Sequence, residues 1–108
     1  MLANGYRSMA SRTLYYAFFH YCKALVHAQS VFTNSHKQTH IQFRKLYIKT
    51  GLVDQKYNEV LKDLIEARAQ ADYGYFTDLT QEELEQFLAE VRSFGDVARR
   101  SIETDSVA

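Results

Sequence analysis

The sequence predicts an all-α fold, an up-and-down bundle of four main helices in one domain, and three observations carry that prediction. The chain of 108 residues contains no proline, so it lacks the strongest helix breaker. No stretch of useful length alternates apolar and polar residues with period two, the mark of a half-buried strand. Apolar residues instead recur three and four apart along most of the chain, the spacing of helices with one face on a core.

Each element follows from that spacing. The first helix is expected from about Tyr6 to His27. One stripe on it is Met9, Leu14, Ala17, Tyr21, Ala24 and Ala28, and a second is Tyr15, Phe18, Phe19, Cys22, Leu25 and Val26. A helix apolar on two sides is covered on two sides, so this one should be the centre of the domain. Gln29 to His36 is polar and reads as a loop. A second helix is expected over Gln38 to Lys49, with Ile41, Leu46, Tyr47 and Ile48 as its apolar positions, and Gly51 as its C-terminal stop. Asp54 can cap a third helix carrying Tyr57, Val60, Leu61, Leu64 and Ile65, which should fade near Asp72 to Gly74. Thr80 and Glu83 form a capping box for the last helix, with the stripe Leu84, Phe87, Leu88, Val91, Phe94, Ala98 and Ile102. The tail, about 103–108, is expected to fray.

Composition narrows the functional classes. Hydrophobic residues make up 46% of the chain, too many for a disordered tail. No apolar run approaches the roughly 20 residues that span a membrane. The N-terminal run lacks the apolar core of a secretion signal. One cysteine, Cys22, can form neither an internal disulfide nor a cysteine-based zinc site. A cytoplasmic location is therefore expected. Charge is divided unevenly. Residues 1–50 hold seven Lys/Arg and no acid, whereas residues 51–108 hold six Lys/Arg and all thirteen acids, giving +7 and −7. The two halves can neutralise each other on packing, or the basic half can present a face to phosphates.

The third helix places an arginine where its stripe expects an apolar residue: after positions 57, 61 and 64 comes Arg68. A guanidinium on that face needs a partner. Asp72, one turn on, is a candidate for a local ion pair. The alternative is a guanidinium held in a groove to bind phosphate. Tyr73 and Tyr75 add two phenols beyond the same helix end.

Two stretches resemble the HEPN domains, the "higher eukaryote and prokaryote nucleotide-binding" helical bundles. They are the run Tyr6 to His20, with its Tyr-Arg and Tyr-Tyr pairs, and the run Arg68 to Phe76; Thr39-His40 and Lys49-Thr50-Gly51-Leu52 fit in the same order. The resemblance implies a homodimer, a toxin-like or defence-associated role, a nucleotidyltransferase antitoxin as partner and RNA or nucleotide as ligand. It implies no cofactor or metal. In ribonuclease members an Arg is followed after four to six residues by His, and the RNA 2′-hydroxyl attacks its own phosphate. Here Arg68 matches the arginine, but the corresponding positions are Tyr73, Gly74 and Tyr75. That is the arginine–Asp-Tyr version of the motif, and it points to binding of RNA or nucleotide ahead of metal-independent cleavage. Carried over residue by residue, Arg68, Asp72 and Tyr73 are the candidate catalytic positions, and Tyr75 a binding one. The antitoxin also suggests tyrosine modification near this motif. Family members usually have a helix ahead of the Tyr-Arg helix, and five residues precede Tyr6 here, so that helix is expected to be missing and a second copy to cover the exposed surface.

The remaining candidates lie in the basic half. His20 is expected in the core or a groove, with reach toward Arg68 as the alternative. His36 and His40 are expected to face solvent; their spacing would suit a metal, but no acid lies near them in sequence. Cys22 is expected in the core. Arg7, Arg12 and Lys23 lie on the polar margins of the first helix as candidate RNA contacts.

Overall fold

A computed structural model describes residues 2–72 and 80–107, with side chains described over 10–70 and 80–103. It contains four helices: α1 (Leu2–Ala28), α2 (His36–Phe43), α3 (Lys56–Asp72) and α4 (Gln81–Val107). A π-helical turn over Arg44–Ile48 continues α2. Among the described residues there is no strand, and none of these helices is long and apolar enough to cross a membrane. The all-α expectation holds. Two helix starts differ from it: α1 begins at Leu2, and α2 begins at His36 rather than Gln38.

The start of α2 has a local cause. Ser35 sits in extended geometry as its N-cap, and its hydroxyl accepts a hydrogen bond from the Gln38 amide at 3.1 Å. The Thr39 hydroxyl donates to the Ser35 carbonyl at 2.9 Å and lies 2.6 Å from the Thr33 hydroxyl. This knot is buried at Thr39, so it fixes where His36 enters the helix. The other caps match expectation. The Asp54 carboxylate accepts from the Lys56 amide at 2.9 Å, and Thr80 and Glu83 cap each other reciprocally at 3.1 and 3.3 Å. Gly51, with φ of 77°, ends the second helical unit. α1 ends in a Schellman pattern: Val31 N–H reaches the Val26 carbonyl and Ser30 N–H the His27 carbonyl, with Ser30 left-handed at φ 60°.

The helix α1 packs against each of the other three, as its two apolar stripes require. The second stripe, Tyr15, Phe18, Phe19, Cys22, Leu25 and Val26, is buried throughout. The first is only partly covered, and Ala24 and Ala28 are exposed. Phe94 of α4 is the meeting point of the core. Its ring stacks on Phe18 with centroids 4.1 Å apart and touches Phe43 at 5.6 Å and Tyr57 at 5.2 Å, so one side chain joins all four helices. Two phenols pin the layers. Tyr57 meets Ser93 at 2.6 Å, and the Tyr47 hydroxyl donates to the Leu25 carbonyl, also at 2.6 Å, near the end of α1 where carbonyls lack helical partners. On α2 the buried residues are Thr39, His40 and Phe43, and Tyr47 of the π turn continues them. Ile41, one of the expected apolar positions, is 43% exposed.

Gly95 marks the tightest approach of α4 to α1, because a Cβ there would come within 2.7 Å of the Tyr21 ring. Gly95→Ala is expected to destabilise the fold by about 1 kcal/mol through overpacking. In a Tyr21→Ala background the same change should stabilise by up to about 1 kcal/mol, the helix preference of Ala over Gly. Urea unfolding of the four variants checks the reversal of sign.

Candidate functional site

Near the N-terminal part of α2, side chains from three helices converge on one phenol. Tyr15, from the middle of α1, is 2% exposed. A buried hydroxyl needs partners, and two histidines provide them: Tyr15 Oη lies 2.8 Å from His36 Nδ1 and 3.2 Å from His40 Nε2. The two histidines are one helical turn apart on α2, so both face α1. The His36 ring stacks on Phe19 at 3.9 Å between centroids. From α3, Arg68 completes the group. Its guanidinium carbon lies 4.9 Å from the Tyr15 ring centre and 5.2 Å from that of Tyr16, and Nη2 donates to Tyr16 Oη at 3.2 Å. The arginine is thus seated on two tyrosine faces, where cation–π attraction offsets part of its desolvation. Cation and imidazoles rest against the same aromatic floor.

Electrostatics follow from burial and from the local excess of cations. Burial first, then Arg44 and His36, lowers His40 to about 4. His36 is also lowered, by burial first and then by Arg68, His20 and Lys23. Both rings are therefore neutral near pH 7 and can accept or donate according to tautomer. Burial raises Tyr15, against an opposing pull from Arg68, and its phenol stays protonated. Arg44, from the π turn, is held by Asn58 of α3 at 2.8 Å. Among the described residues no group of three or more His, Cys, Asp or Glu side chains could hold a metal.

The sequence-derived candidates are distributed unevenly over this geometry. Arg68 is in the cluster and partly buried. Two histidine expectations are corrected. His40 is 9% exposed and His36 is half-buried, not solvent-facing, because the Ser35 cap turns both toward α1. His20, expected in the core or a groove, is exposed on α1 beside Phe19. Cys22 is fully buried, and its thiol is raised well above its ordinary value by burial, which leaves it inert. Arg12 is exposed and Lys23 half-exposed on α1. Asp72 is the last residue of α3; its side chain, that of Arg7, and Tyr73 and Tyr75 lie outside the described residues. Tyr15, Tyr16, His36 and His40 were missed as site residues. The signal available was the polar hydroxyl of Tyr15 inside a fully apolar stripe.

Comparison with known proteins gives a consistent placement. Residues 1–101 match the family described as HEPN domain. A UPF0332 protein of Thermotoga maritima is 25% identical over 103 residues, covering 95% of this chain and 78% of that protein. A protein of Methanocaldococcus jannaschii named as a candidate toxin is 29% identical over 98 residues, covering 90% of this chain and 71% of its own length. No solved structure matches the chain.

The buried imidazole sets a pH dependence of stability. His40 binds its proton at about 4 when folded and at about 6.5 when unfolded. Between those values the unfolded chain holds the extra proton, so stability is complete above the upper value and is lost as pH falls toward the lower one. The expected slope from this group is at most about 1.4 kcal/mol per pH unit. Urea midpoints measured for wild type and His40→Gln across that window should converge as pH falls.

Proposed function

This chain belongs to the HEPN domain family, and from that premise we propose that it is a toxin-like HEPN module that binds RNA or nucleotide phosphate at the Arg68 groove. The observation that carries this reading is the guanidinium seated on Tyr15 and Tyr16, with neutral histidines beside it. An arginine fixed on an aromatic floor is oriented to meet phosphate oxygens through paired N–H groups. Along α1 the residues Arg12, Tyr16, His20 and Lys23 recur at helical spacing on the exposed side. A strip of cations interleaved with an exposed aromatic suits a single strand, with phosphates on the charges and a base on the ring. The candidate-toxin name of the archaeal relative supports the toxin-like part of the reading.

The same reading includes a homodimer, supported by exposed Ile41 on α2 and Leu88 on α4; a monomer at micromolar concentration in light scattering would contradict it. A non-catalytic module held by a nucleotidyltransferase is the second reading. It is favoured by the absence of histidine from the Arg68 to Phe76 run. In both readings Arg68, with Asp72, Tyr73 and Tyr75 beyond it, borders the working surface.

Fluorescence anisotropy with a labelled single-stranded RNA tests the binding. Arg68→Ala is expected to weaken affinity by roughly 10-fold or more, as for loss of a charged hydrogen-bonding group. Arg68→Lys should recover part of it. Wild type should lose affinity as salt is raised, and Arg68→Ala should show a shallower salt slope. Equal affinity in wild type and Arg68→Ala would contradict the reading.

A further inference from the structure

We propose that Tyr15, His36 and His40 form a binding site for a divalent transition-metal ion, with Cu(II) as the best-matched ion. The inference goes beyond the RNA-binding reading and does not rest on it. In sequence the two histidines have no acid near them to complete a ligand set; the fold supplies a phenol instead. The donors are one tyrosine oxygen and two imidazole nitrogens, a set that no grouping of His, Cys, Asp and Glu alone contains.

Three observations carry it. First, the donor atoms converge. Tyr15 Oη lies 2.8 Å from His36 Nδ1 and 3.2 Å from His40 Nε2. An ion held at about 2.0–2.1 Å from its nitrogen and oxygen ligands separates adjacent donors by roughly 3 Å. Two edges of a coordination triangle are therefore already set. The third, between the two nitrogens, closes by side-chain adjustment at His36, the half-buried member, whose open side is also the way in for the ion. Second, His36 and His40 stand one turn apart on α2, the spacing at which two imidazoles of one helix face a common metal. Third, burial and neighbouring cations keep both imidazoles neutral near pH 7, the form in which histidine binds a metal.

Charge balance sets which ion the site takes. Among the described residues, the titratable and charged groups facing the three donors are Tyr16, His20, Cys22 and Lys23 from α1, Arg44 from the π turn and Arg68 from α3. The charged ones are cations and oppose a metal. The phenol offsets this by giving up its proton on coordination. The phenolate forms beneath the Arg68 guanidinium, 4.9 Å from the Tyr15 ring centre, and cancels one of the ion's two charges. The tyrosine O–H bond breaks, the oxygen–metal bond forms and the proton goes to solvent; nothing is oxidised or reduced. A site with this opposing field selects the ion of highest intrinsic affinity for nitrogen and oxygen donors, and among divalent first-row metals that is Cu(II). Acid weakens binding, because protons compete for all three donors.

The test titrates Cu(II) into the full chain, first cleared of metal with chelator, and reads visible absorption, electron paramagnetic resonance and heat. Wild type is expected to show a phenolate-to-copper charge-transfer band and nitrogen hyperfine splitting from two imidazoles. Calorimetry near pH 7 in buffers of different ionisation enthalpy should report a single proton released per ion bound. Tyr15→Phe should lose the band. His36→Gln and His40→Gln should each weaken affinity by more than the roughly 10–100-fold that loss of an outer partner costs. His27→Gln, away from the cluster, should bind as wild type does. Circular dichroism checks the fold of each variant, and His36→Gln, at a half-buried position, is the one expected to keep it. Equal affinity in wild type and folded His36→Gln would overturn the proposal. So would copper bound without the phenolate band, which would place the ion on other histidines, and so would a wild type that binds no copper.

Discussion

A phenol buried in the middle of the central helix has to find hydrogen bonds, and that requirement organises the site. Tyr15 lies in the most deeply buried stripe of α1, where an unsatisfied hydroxyl would cost about 1–3 kcal/mol. Its partners are brought by α2, whose start is set by Ser35 and Thr39. Its ring then supports the arginine from α3. One side chain thereby couples the register of three helices. A shift of α2 by one residue would rotate both histidines away from α1 and leave Tyr15 without partners.

The core and the site divide the work between them. Phe94 gathers Phe18, Phe43 and Tyr57 into an aromatic centre, which needs only apolar surface and good packing. The Tyr15 cluster needs polar atoms at fixed distances, and it is built on the rigid parts of helices rather than on loops. The basic half of the sequence contributes α1 and α2, including both histidines. The acidic half contributes the single arginine that meets them. The ion pairs Lys62–Glu59 and Arg99–Asp96 both lie within the acidic half.

Much of the fold was legible in the sequence because its signals are local. Helical spacing, the Thr80–Glu83 box, the Asp54 cap and Gly51 each act within one turn, and each stands as expected. The unusual place of Arg68 was legible too, since it interrupts a stripe at a known period. The histidines were not. Their burial depends on the entry angle of α2, which a serine cap and a threonine contact fix, and on a tyrosine more than twenty residues earlier. No local pattern reports that kind of contact. His20 failed for the complementary reason: it lies among apolar residues in sequence, but the angle between neighbouring positions turns it out of the core while Phe19 turns in. The family resemblance identified the arginine and its missing local histidine, and only three-dimensional packing showed other histidines beside it.

Tyr15 holds two neutral imidazoles next to Arg68. Long-range ¹H–¹⁵N spectra of the histidine side chains, followed through a pH titration, test it directly. His36 and His40 should each show one neutral tautomer near pH 7, His40 should resist protonation until about pH 4, and Tyr15→Phe should disturb both rings together. Two histidines that average freely between tautomers and titrate like solvent-exposed imidazole, unchanged by Tyr15→Phe, would contradict it.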